Sequence, residues 1–82
     1  MASRRRAVGS LHTREYETFL VRLRKARQAA GLTQAAAGSR LDRPQAYVQK
    51  CESGERRVDA VELARFAQLY GRPVTWFVRG LA

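Results

Sequence analysis

Gln45, Ala46, Gln49 and Lys50 are small or polar residues spaced one helical turn apart, set around the apolar pair Val48 and Cys51. On a helix, Gln45 and Gln49 share one side, and so do Ala46 and Lys50. A glutamine amide can pair in bidentate fashion with adenine N6 and N7. A lysine ammonium can reach guanine O6 and N7 or a phosphate, and an alanine methyl can meet a thymine methyl. The chemistry on offer is the reading of base edges rather than the making of bonds. The sole histidine, His12, lies in an N-terminal stretch without periodicity, and the sole cysteine, Cys51, has core spacing. No Ser/His/Asp set and no metal-ligand spacing accompanies them, so neither an enzyme nor a metal or cofactor site is expected.

Charge points the same way. The 82 residues carry 16 Lys and Arg against 7 Asp and Glu, a formal net charge of +9. Such a surface favours a polyanionic partner. The excess is concentrated in the first 30 residues. With 45% hydrophobic residues the chain is rich enough for one small packed domain. One cysteine excludes an internal disulfide and suits a reducing compartment. No apolar run approaches the ~20 residues that span a bilayer, and the basic side of the first helix lacks the Trp or Phe anchors of a membrane-surface binder, so no membrane partner is expected. Single-stranded RNA would need an aromatic stacking surface that the sequence lacks.

The elements that must position these side chains follow from periodicity and caps. Residues 1–12 show none and read as a flexible basic arm, either a solvated tail or an arm that would follow a DNA backbone or minor groove. A first helix is expected from Thr13 to Ala30, with Thr13 as cap and Tyr16, Phe19, Leu20, Leu23, Arg27 and Ala30 on one face. Thr33 caps a second helix from Gln34 to about Leu41. Gly38 costs about 1 kcal/mol there relative to alanine, which a close helix crossing would explain. Asp42-Arg43-Pro44 makes a turn, and Pro44 suits the first position of a third helix running to Ser53. Asp59-Ala60-Val61-Glu62 is a capping box that opens a fourth helix with a Leu63, Phe66, Ala67 and Tyr70 stripe. Val74 to Leu81 completes an all-α bundle of about five helices, with residues 13–82 as the domain.

Gly31-Leu32-Thr33-Gln34, Tyr47-Val48 and the run Glu52-Ser53-Gly54-Glu55-Arg56-Arg57 together resemble the helix-turn-helix of the XRE family, the Cro and phage-repressor type. The resemblance covers roughly residues 16–78. It implies a phage-repressor-like DNA-binding fold in which the third helix enters the major groove of double-stranded DNA. Matched residue by residue, the base-reading positions fall on Gln45, Ala46 and Lys50, with Arg43 and Gln49 nearby. Gln34 is implied to donate to the DNA backbone. Arg40, Arg56 and Arg57 flank the third helix and can clamp phosphates, with a structural cap as the alternative for Arg57. Arg27 lies on an apolar face and Glu52 on the inward side of the third helix; the resemblance implies a structural salt bridge between them. The chain departs from the family pattern at Asp42, where glycine is common, and at Arg43, Pro44 and Ala37.

The C-terminal segment is unusually aromatic. It either closes the core or pairs two subunits, and a homodimer interface with Val74, Trp76 and Phe77 at or near it is the expectation, since a twofold dimer reads two half-sites. The leading expectation is a dimeric transcriptional repressor, cytoplasmic and nucleoid-associated. The alternative is an antitoxin or adaptor whose main partner is another protein.

Overall fold

Thr13 opens the first element of the computed structural model, which describes residues 13–82. Its hydroxyl accepts a hydrogen bond from the Tyr16 N–H at 3.1 Å, and Glu15 and Glu17 follow in the first turn. There the exposed N–H groups and the helix dipole favour negative charge. The five helices are α1 (Arg14–Ala29), α2 (Gln34–Arg40), α3 (Gln45–Ser53), α4 (Ala60–Tyr70) and α5 (Val74–Val78), with no strand among the described residues. The arm expected over residues 1–12 lies outside the described residues.

The helix ends correct the sequence-based boundaries in four places. α1 stops at Ala29, because Ala30 serves as its exposed C-terminal cap; Ala26 rather than Ala30 completes the buried face. α2 ends at Arg40, with Leu41 as the capping residue. Pro44 is not the first helical residue of α3 but the residue before it: its ψ of 160° is extended, and its carbonyl accepts the Tyr47 N–H at 3.0 Å. α5 ends at Val78 instead of Leu81. Arg79 is extended, and the Arg22 Nη1 from α1 donates to the carbonyls of Arg79 at 2.7 Å and Phe77 at 3.3 Å. Those carbonyls have a side-chain partner and need no further helical turn.

The core takes Phe19, Leu20, Leu23 and Ala26 from α1, Ala37 from α2, Val48 and Cys51 from α3, Phe66, Ala67 and Tyr70 from α4, and Phe77 from α5. Every helix contributes, and α3 is packed on its inner side chiefly against α2 and α1, with Tyr47 reaching Phe66 of α4. α4 is fixed at its start by both bonds of the expected capping box: Asp59 accepts from the Glu62 N–H at 2.8 Å, and Glu62 accepts from the Asp59 N–H at 2.9 Å.

The turn between α2 and α3 sets the angle at which α3 leaves the body. Asp42 has φ 60°, a left-handed conformation for which glycine is the usual residue and which aspartate tolerates better than most. The chain then folds back so closely that the Arg43 N–H donates to the Gly38 carbonyl at 2.8 Å. A Cβ on Gly38 would lie 2.7 Å from the Arg43 carbonyl oxygen and 3.1 Å from that of Pro44. The close approach that the sequence suggested for Gly38 is thus made by backbone, which cannot swing aside as a side chain can. We expect Gly38→Ala to destabilise the fold by about 1–3 kcal/mol through overpacking, despite a helix-propensity gain of about 1 kcal/mol. Urea unfolding checks this; a variant as stable as the parent, or more so, would show that the turn yields freely.

Candidate nucleic-acid interface

α3 divides by periodicity into a held side and an open side. Val48 and Cys51 are fully buried and Glu52 is 4% exposed. Gln45, Ala46, Gln49 and Lys50 are all exposed, as are Arg43 and Pro44 just before them. The first turn of α3 therefore presents an amide and a methyl, and the second an amide and an ammonium. Burial also pushes the Cys51 thiol pKa up, which keeps it neutral and poorly nucleophilic.

The held side is anchored by one buried carboxylate. Arg27 of α1 donates to Glu52 through Nε at 2.6 Å and through Nη2 at 3.1 Å. The Gln34 side chain, first residue of α2, donates to Glu52 Oε1 at 3.1 Å, and Arg27 Nη1 donates to the Leu32 carbonyl at 2.8 Å. Three helices thus meet at Glu52, and Arg27 ties the α1–α2 loop to the same cluster. The hydrogen bond to Glu52 raises the Arg27 pKa, so the guanidinium stays charged. Gln34, expected to face a phosphate, is engaged inward in this network.

The basic flank is organised around Tyr47. Its ring stacks on buried Phe66 at 6.0 Å, and the guanidinium groups of Arg43 and Arg56 lie 5.0 Å and 4.9 Å from its centroid. Cation–π contact and the aromatic wall orient both arginines beside α3. Arg56 Nη2 also lies 2.7 Å from Glu62 Oε2. That hydrogen bond, first among the causes, holds the Glu62 carboxyl down at about 2, while burial pushes the Tyr47 phenol up to about 12. Arg57 lies over the Tyr16 ring at 4.3 Å, and the Tyr16 hydroxyl accepts the Val58 N–H at 3.0 Å. Arg40, exposed at the end of α2, shares a shallow groove with Arg65 of α4.

The structure gathers Arg43, Gln45, Ala46, Gln49 and Lys50 along the open side of α3, with Arg56 beside them across Tyr47. Two neighbours were not singled out for this surface from the sequence. Arg65 lies on a helix whose periodicity shows only its buried stripe. Glu62 was legible as a cap but not as the partner of Arg56, since nothing in the sequence brings those two side chains together. In the C-terminal segment, Phe77 is fully buried and belongs to the core, and Arg72 lies over Trp76 at 4.2 Å from its ring centroid. The exposed apolar residues of α5 are Val74 and Val78.

Among the described residues no three His, Cys, Asp or Glu side chains group as a metal site, and no helix is long and apolar enough to cross a membrane. The family model for a helix-turn-helix domain matches residues 19–75, which contain α2, the turn and α3 whole. No curated protein matches the chain.

Two outcomes test this geometry. Arg27→Ala leaves Glu52 buried with its main cationic partner removed, and should destabilise the fold by about 3 kcal/mol or more; a thermal melt matching the parent would contradict it. Because the Glu62 pKa is lowered from 4.5 to about 2, its contribution is present above about pH 4.5 and is lost as pH falls toward 2. Melting temperatures measured from about pH 6 down to 2 should fall less steeply for Glu62→Gln than for the parent. Parallel slopes would mean that the carboxylate gains nothing from Arg56.

Proposed function

The chain belongs to the helix-turn-helix domain family, whose members bind DNA, and on that premise we propose that it is a sequence-specific, double-stranded DNA-binding transcriptional repressor of the XRE type, acting as a homodimer. α3 is the recognition helix. Its open side enters the major groove, with Gln45, Ala46 and Lys50 reading base edges and Arg43 and Gln49 at the margins of the readout. Arg40, Arg56 and Arg57 contact phosphates and fix the register. Gln34 contributes to phosphate binding from the start of α2 only by exchanging its bond to Glu52 for one to DNA. Residues 13–82 form the binding domain, and residues 1–12 add a basic arm. The protein acts at the nucleoid, in the cytoplasm.

The observation that carries this reading is the exposed polar side of α3, held rigidly from behind by Val48, Cys51 and Glu52 and flanked by arginines rather than by apolar surface. A protein-docking face of this size would instead be expected to centre on buried-on-binding aromatic or aliphatic anchors. Dimerisation through the α5 side, with Val74 and Trp76 at or near the interface and exposed Val78 beside them, would give two recognition helices about one turn of DNA apart. It would block polymerase wherever the operator overlaps a promoter.

Selection of bound duplexes from a random pool tests the whole reading. The expected product is an inverted repeat with half-sites about 10 base pairs apart, or a multiple of that. Gln45→Ala should flatten the preference at one position of each half-site, a loss of about 1–3 kcal/mol in discrimination. An unchanged selected sequence removes Gln45 from the readout, and a pool with no enriched sequence defeats sequence-specific binding.

A further inference from the structure

Glu62 is a carboxylate set beside the surface proposed to meet a polyanion. Its two oxygens have separate tasks. Oε1 accepts the Asp59 N–H at 2.9 Å and closes the α4 capping box, while Oε2 lies 2.7 Å from Arg56 Nη2. Arg56 has a second support besides the carboxylate: its guanidinium lies 4.9 Å from the centroid of a Tyr47 ring that is itself stacked on Phe66. The pair is also unequal in exposure: the Arg56 side chain is 42% exposed and that of Glu62 only 12%. The anion is recessed and the cation faces out. Arg43 and Arg65 line the same small hollow as Glu62, so this carboxylate sits among arginines on several sides.

Resting on the DNA-binding reading above, we propose that Glu62 is an internal stand-in for a DNA phosphate, occupying Arg56 in the free protein and thereby lowering affinity for every duplex regardless of sequence. A phosphate approaching Arg56 must either displace the carboxylate or share one guanidinium with it, at the cost of like-charge repulsion. Either route reduces the backbone-derived part of binding, which is the part that non-specific DNA exploits. Contacts from Gln45, Ala46 and Lys50 to bases are untouched. Glu62 thus acts only through Arg56, as a competitor for its guanidinium, and sets the level of sequence-independent affinity. The lowered Glu62 carboxyl pKa is consistent, since it keeps the latch charged at any physiological pH.

The test uses the full chain, a duplex recovered by selection and a scrambled duplex of equal length, each titrated across a range of salt concentrations. Glu62→Gln retains a side-chain acceptor for the cap while losing the charge, and its melt near neutral pH establishes that it is folded. The expected result is about three- to tenfold tighter binding to both duplexes near 0.1 M salt, with the slope of log K against log salt steeper by about one phosphate contact. In an Arg56→Ala background the same substitution should have no effect. Unchanged or weaker binding by Glu62→Gln overturns the proposal. So does a gain that persists without Arg56, which would reflect net charge alone. Failure of parent and variant alike to bind any duplex at low salt would overturn the DNA-binding reading, and the proposal with it.

Discussion

A single buried carboxylate, Glu52, sets the relation among the first three helices. Removing a carboxylate from water costs several kcal/mol unless its oxygens find donors. Here Arg27 and Gln34 supply three hydrogen bonds, and the Arg27 guanidinium also ties down the Leu32 carbonyl in the loop between α1 and α2. The three bonds to Glu52 depend on the position of α3 and are lost if it slides or rotates by a residue. An apolar contact at the same place would tolerate such slips, because dispersion and burial are only weakly directional. The polar hub trades stability for a fixed orientation of α3, and it is that orientation which turns Gln45, Ala46, Gln49 and Lys50 outward together.

The surface beside α3 is built on a different principle. Tyr47 is half-buried, with one neighbour in the core, Phe66, and two at the surface, Arg43 and Arg56. An aromatic ring in this position converts core rigidity into ordered charge: the arginine stems lie against apolar surface while their guanidinium groups stay wet. Cations held in place before a ligand arrives lose less conformational entropy on binding than free ones. Glu62 adds a counterweight to that arrangement, so the basic flank is tempered as well as preorganised.

Much of the architecture was legible in the residue pattern. Thr13, Thr33 and Asp59 marked helix starts correctly because capping is local: the side chain and the N–H it satisfies are three residues apart. The stripes on α1 and α4 were legible because periodicity reports which face is buried. Boundaries that depend on distant partners were not. α5 stops early because Arg22, more than fifty residues away, takes its last carbonyls. The Asp42-Arg43-Pro44 turn departed from the family pattern, yet it keeps a left-handed residue at Asp42 and a contact that requires Gly38 to lack a side chain. Phe77 was legible as an aromatic near the chain end, but burial and association draw on the same residue types, and only packing separates them.

By itself, then, the sequence determined the helix-turn-helix, the all-α class, the cationic character and the identity of the side chains on the open side of α3. The helix-turn-helix follows from the resemblance of Gly31–Gln34, Tyr47-Val48 and Glu52–Arg57 to a known family, and the rest from short-range rules of capping and periodicity or from composition. The tertiary structure alone decided where several polar and charged side chains find their partners. Gln34 turns to Glu52, Arg22 to the end of α5, and Arg56 to Glu62. These choices rest on contacts between residues far apart in the chain, where the energy of an ion pair or hydrogen bond depends on distances and burial that no spacing in the sequence encodes.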